Sequence, residues 1–208
     1  MNLNDFLPPQ NQQNKSNLTP ILPLIKPKQT TPSFLPLRLI SPKRKVFISF
    51  HHANDQQAYN IFKRLFSDKY EVFEDHSLNN QLINSQIAED IERGIRERFI
   101  KGSSITIVLC GSETHKRKYV DWEINSTLNY EHALLGIALP SAIRTTDNKV
   151  IVPPRLHHNV VSGYAHFEHW ENCANSADSL NMAIEFALLN AKEKSALDNS
   201  HPKMHRNL

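Results

Sequence analysis

Short apolar runs recur between residues 45 and 170, and the stretches separating them carry apolar residues at helical spacing. Lys45–Phe50 (KVFISF) is short and β-rich, which predicts a strand. Asp55–Ser67 places Ala58, Ile61, Phe62, Leu65 and Phe66 on one stripe, which predicts an amphipathic helix. Tyr70–Phe73 reads as a second strand and Asp75–Gln81 as a polar loop. Ser85 can cap a helix bearing Ile87, Ile91, Ile95 and Phe99 at four-residue steps, with Gly102 ending it. Ser104–Cys110 is uniformly apolar or β-branched, the pattern of a strand covered on both faces. A further helix runs to about Tyr130 and is followed by a fourth strand at His132–Leu139. Pro140–Val161 reads as a long loop with VIVPP as an edge piece, Tyr164–Trp170 as a fifth strand, and Ser179–Lys192 as a closing helix. Residues 195–208 show no apolar periodicity and are expected to fray.

Strands that alternate with helices form a parallel sheet with helices on both faces, joined by right-handed crossovers. Ligands in such sheets bind beyond the carboxyl ends of the strands. Those ends are Phe50–Asp55, Phe73–Leu78 and Cys110–Thr114.

Composition divides the chain. The first 43 residues hold eight of its twelve prolines and no glycine. Proline at that density removes backbone donors, so the expectation is a disordered arm over 1–43. Residues 1–45 carry seven basic side chains against Asp5, about +6, which leaves the rest of the chain at about −3. A mildly acidic folded part argues against nucleic acid as a partner. The apolar pieces of the arm are too short and broken to span a bilayer, and it lacks the pattern of a secretory signal. The expected organisation is therefore arm 1–43, domain 44–193 and a disordered tail 194–208. The two cysteines, Cys110 in a strand and Cys173 in a polar loop, form neither a disulfide framework nor a zinc motif. Cytoplasmic residence is the expectation.

The segment GSETHKRKYVDWEI (111–124) follows the third strand. On a helix started at Tyr119, residues Val120, Ile124, Thr127 and Leu128 centre near about 120° and face the sheet. Glu123, at about 40°, lies on the rim of that stripe beside Tyr119, and Trp122, at about 300°, points away. Glu123 is thus expected to be half-buried beside a cleft, and Trp122 exposed or in an interface.

VFISFHHANDQ, SSITIVLCGSETHKRKYVDWEI and VPPRLHHNVVSGYA together resemble the TIR-like domain of bacterial Thoeris defence proteins of the ThsB type. The resemblance covers about residues 43–192. Its strongest element is Ser-x-Thr followed by Arg-x-aromatic-Val-x-x-Glu-Ile, present as Ser112, Thr114, Arg117, Tyr119, Val120, Glu123 and Ile124. The resemblance implies a flavodoxin-like sheet of five parallel strands and cleavage of the nicotinamide–ribose bond of NAD+. It carries the essential glutamate of the third helix onto Glu123. NAD+ is then a substrate and no cofactor is required. The product would be ADP-ribose or a cyclic ADP-ribose, sensed by a separate effector protein, and TIR–TIR self-association is implied. Tyr119 stands where tryptophan is usual, and both stack.

The chemistry fits one carboxylate. Cleavage of an N-glycosidic bond builds an oxocarbenium-like ribose, which a carboxylate in a poorly solvated cleft stabilises. Substrate contacts are expected from Phe50, His51, His52, Asp55, Ser112 and Tyr119, with Trp122 at an interface. The chain has five glycines but no G-x-G-x-x-G after a strand and no phosphate-binding G-x-x-x-x-G-K-[ST]. No metal is expected, since the paired histidines 51–52 and 157–158 point oppositely in extended chain. Two rivals stand beside the NAD+ reading. One is a TIR-like module that only assembles. The other is a metal-dependent nuclease using Glu74, Asp75 and Asp55.

Overall fold

The structure is a computed structural model and describes residues 43–73, 94 and 97–208. The arm 1–42 and most of the helix expected at Ser85–Gly102 lie outside the described residues, as do Glu74, Asp75 and the loop that follows them.

Chain order is β1 (Arg44–Ser49), α1 (His52–Phe66), β2 (Tyr70–Phe73), then a helix α2 described over 97–102, and β3 (Ile105–Cys110). A 3-10 turn (Thr114–Lys116) leads into α3 (Lys118–Asn129) and β4 (Ala133–Ala138). The chain continues through α4 (Pro154–Val161), β5 (His166–His169), the short α5 (Trp170–Cys173) and α6 (Ala177–Asn190). The five strands are all parallel and ordered β2-β1-β3-β4-β5. That is the flavodoxin-like order, with the switch point between β1 and β3.

Sequence composition accounts for the layering. Every residue of β3 and β4 is buried, so helices cover both faces of the sheet centre. Strands of this kind must be apolar throughout, and ITIVLC and ALLGIA are. Val120, Ile124, Thr127 and Leu128 of α3 are each at most 2% exposed, the stripe expected from the spacing. Thr127 is the one polar member, and it is satisfied twice. Its Oγ1 donates to the Glu123 carbonyl at 2.8 Å and lies 2.6 Å from Thr106 Oγ1 of β3. This hydroxyl pair fixes how far along the sheet α3 sits.

Three expectations need correction. The Pro140–Val161 segment is not all loop, because Pro154–Val161 forms α4. The proline pair reads as a breaker, but Pro154 sits at the first helical position, where its missing N–H costs nothing. Arg155, Leu156 and Asn159 then form the buried side. Cys173 is in α5 and buried, not in a polar loop.

The third correction concerns the tail. The compact unit runs to Leu208 rather than ending near 193. Residues 198–208 lie along α3 and α4. Asn159 Nδ2 donates to the Asp198 carbonyl at 2.7 Å, and Asn125 Nδ2 to Asn199 Oδ1 at 2.9 Å. The Met204 amide donates to Asp121 Oδ2 at 2.9 Å, and Trp122 Nε1 to the Met204 carbonyl at 2.8 Å. Polar side chains, not an apolar stripe, hold this segment, which is why periodicity missed it.

Candidate active site

The β1–α1 loop and the first two turns of α3 meet at the carboxyl end of the sheet and enclose a cavity of about 220 Å³. Phe50 and His51 line it from the loop, His52 and Ala53 from the start of α1, Arg117 from the residue before α3, and Tyr119, Val120 and Glu123 from α3. Asn207 of the tail completes the wall.

Glu123 is 6% exposed, deeper than the half-burial expected. Its Oε2 accepts a hydrogen bond from Ser49 Oγ, the last residue of β1, at 2.5 Å. That length belongs to a hydroxyl donating to a carboxylate, among the stronger side-chain hydrogen bonds. The strand thus fixes the direction of a group that the helix places on the rim of its apolar stripe.

Phe50 closes the floor. Its ring stacks on Tyr59 at 4.6 Å with the planes 3° apart, and tilts against His52 at 4.2 Å. It is 4% exposed, so it serves the core and the cavity together. Burial, then the Arg117 guanidinium, holds the His51 imidazole below its ordinary value and favours its neutral form. Arg117 Nη2 donates to Glu113 Oε2 at 2.7 Å, and Asn54 Nδ2 reaches the same oxygen at 3.2 Å. Tyr119 packs edge-on to Trp122 at 5.6 Å, with Lys118 Nζ 5.0 Å from the Tyr119 ring centre.

Of the predicted site residues, Glu123, Phe50, His51, His52 and Tyr119 are brought together. Asp55 and Ser112 do not line the cavity. Asp55 is 2% exposed and faces the loop after β3. Thr114 Oγ1 donates to its Oδ2 at 3.0 Å, and a Cβ on Gly111 would lie 2.0 Å from its Oδ1. Burial raises the Asp55 carboxyl above its ordinary value, with the Thr114 bond opposing. Asp55 therefore braces α1 against that loop, its carboxylate turned to Thr114 and Gly111. Trp122 is part-buried, and its indole Nε1 donates to the Met204 carbonyl of its own tail.

Sequence reasoning missed Ser49, Arg117 as a wall residue, and Asn207. A lone hydroxyl at the carboxyl end of an apolar strand was the available signal for Ser49. Nothing in the local sequence around Asn207 pointed here.

Among the described residues no group of three or more His, Cys, Asp or Glu side chains could hold a metal. No helix among them is long and apolar enough to cross a membrane.

Residues 47–144 match the family model of the Thoeris protein ThsB, TIR-like domain. The match contains the second half of β1, the cavity loop, α3 and Glu123, and it bears out the family resemblance read from the sequence over that span. Among solved structures, the chain is similar to the TIR domains of the activated Roq1 resistosome that recognises the pathogen effector XopQ. That likeness has 13% identity and a TM-score of 0.35, and covers 71% of this chain and 83% of that one. No curated protein matches the sequence at significance. The cavity lies where a flavodoxin-like sheet offers one, beyond the carboxyl end of β1 at the switch point.

Proposed function

We propose that this TIR-like domain cleaves the nicotinamide–ribose bond of NAD+, with Glu123 as the catalytic residue. The observation that carries the reading is a carboxylate 6% exposed, oriented by Ser49 and lining a cavity among aromatic rings. A cavity of about 220 Å³ is below the usual range for a whole drug-sized ligand, so it receives the nicotinamide-riboside end while the rest of the dinucleotide lies outside.

The C1′–N1 bond breaks, and its electron pair goes to the pyridinium nitrogen, so nicotinamide leaves neutral. No strong general acid is needed. Positive charge develops on the ribose, and Glu123 stabilises it in surroundings of low polarity. Water attacking C1′ and losing a proton gives ADP-ribose. Attack by a hydroxyl or adenine nitrogen of the same molecule, again with proton loss, gives a cyclic product. Tyr119 supplies a ring face for the nicotinamide, and Phe50 forms the apolar floor. In this reading the protein acts in the cytoplasm in anti-phage defence, and a separate effector senses the product.

Incubation with NAD+ tests the reading directly. Nicotinamide release by the wild-type chain should fall by roughly 10²–10⁴ in Glu123→Gln and Glu123→Ala, the usual scale for one positioned carboxylate. Equal release by wild type and both variants overturns it.

A further inference from the structure

The tail reaches the cavity under several constraints at once. Asp121 and Arg155 form an ion pair with side chains 1% and 0% exposed, Nε to Oδ1 at 3.0 Å. Asp121 Oδ2 also accepts the Met204 amide, and Arg155 Nη1 donates to Asn199 Oδ1 at 2.7 Å. Trp122 Nε1 holds the Met204 carbonyl. The Leu208 amide donates to the Lys116 carbonyl at 3.0 Å. Asn207 is therefore bracketed on both sides by anchored backbone.

Its carboxamide is oriented as well. Asn207 Oδ1 accepts the Lys118 amide at 2.9 Å, which caps the first turn of α3 from 89 residues away. An amide whose oxygen is committed has its nitrogen assigned by the same bond. Asn207 Nδ2 has no hydrogen-bond partner among the described residues, and the residue forms cavity wall. The solvent-exposed Asn207 thus shares the cavity wall with the Glu123 carboxylate, and its nitrogen is uncommitted there.

We propose that Asn207 is a substrate-positioning residue, its Nδ2 donating to an oxygen of the ligand held against Glu123. This rests on the NAD+ reading. The acceptor is a ribose hydroxyl or a phosphate oxygen, the two oxygen classes next to the scissile bond. The tail is then part of the binding site and not an appendage to the domain.

Asn207→Ala and Asn207→Asp separate the roles. Aspartate still accepts the Lys118 amide, so it keeps the cap but donates nothing. Both variants should raise KM for NAD+ by roughly tenfold, the value of one lost hydrogen bond, with kcat within about twofold. Asn207→Asp should be at least as impaired as Asn207→Ala. Nicotinamide riboside, which has no phosphate, distinguishes the acceptors. Equal weakening of both substrates assigns the ribose, and weakening of NAD+ alone assigns the phosphate. A wild-type KM in Asn207→Asp reduces the residue to a helix cap and overturns the proposal. Glu123-dependent turnover indifferent to both variants overturns it while the NAD+ reading stands. Wild type that neither cleaves NAD+ nor, as Glu123→Gln, binds it removes both.

Discussion

Ser49 Oγ lies 2.5 Å from Glu123 Oε2, a bond between the end of β1 and the second turn of α3 across 74 residues. It couples the carboxylate to the end of an interior strand of the sheet. Both residues are nearly inaccessible to solvent, at 1% and 6%. Without this donor a buried carboxylate loses one of its hydrogen bonds and the direction that bond imposes. Ser49→Ala should therefore leave the fold intact and lower nicotinamide release by roughly tenfold, corresponding to about 1.5 kcal/mol for a hydrogen bond to a charged group. Steady-state kinetics beside a thermal melt checks this. Unchanged turnover would detach Ser49 from the site.

The Asp121–Arg155 pair predicts a stability effect of a different size. Both side chains are essentially buried, and removing one partner strands the other charge. Arg155→Ala and Asp121→Ala should each cost about 3–5 kcal/mol, a fall in melting temperature on the order of 10 °C for a chain of this size. The same variants remove anchors of the tail, so they should also expose it to limited proteolysis before the domain unfolds.

Gly111 is set by Asp55. A methyl at 111 would overlap the Asp55 carboxylate, with Oδ1 2.0 Å from the new carbon. Gly111→Ala should cost about 1–3 kcal/mol as an overpacked contact. Asp55→Ala in the same chain removes the obstruction, so the double variant should be less destabilised than the sum of the two singles. Additive losses, measured by denaturant titration, would show that the clash is relieved some other way.

His51 gives a pH signature. Its folded value lies below 6.5 because of burial and the Arg117 charge. Between that lowered value and 6.5 the unfolded chain binds more protons than the folded one, so stability rises with pH across the interval. The contribution is fully present above 6.5 and is lost as pH falls through the folded value. His51→Gln should flatten this part of the curve. Subtracting the variant's unfolding midpoints from those of wild type isolates it from the other titrating groups, and a difference independent of pH would contradict the assignment.

The position of Glu123 was legible because a helix converts spacing into direction. Val120, Ile124, Thr127 and Leu128 had to face the sheet, and Glu123 could then lie only at the edge of that stripe. The direction of the Asp55 side chain was not legible, for the opposite reason. It stands at a strand-end loop, where ligand contacts gather, yet only the packing of α1 against Gly111 and Thr114 shows that its carboxylate is turned inward. His51 in that loop and His52 at the start of α1 do line the cavity.

By itself, the sequence determined the parallel sheet, the burial of its centre, the helix that carries Glu123 and the end of the sheet at which a ligand would sit. Apolar periodicity encodes each of these through the burial it demands. Tertiary structure alone decided that Ser49 orients the carboxylate, that Arg155 is buried against Asp121, and that Asn207 closes the cavity. These are polar contacts between residues far apart in the chain. Their energy depends on direction and distance, and no local pattern of residue types records either.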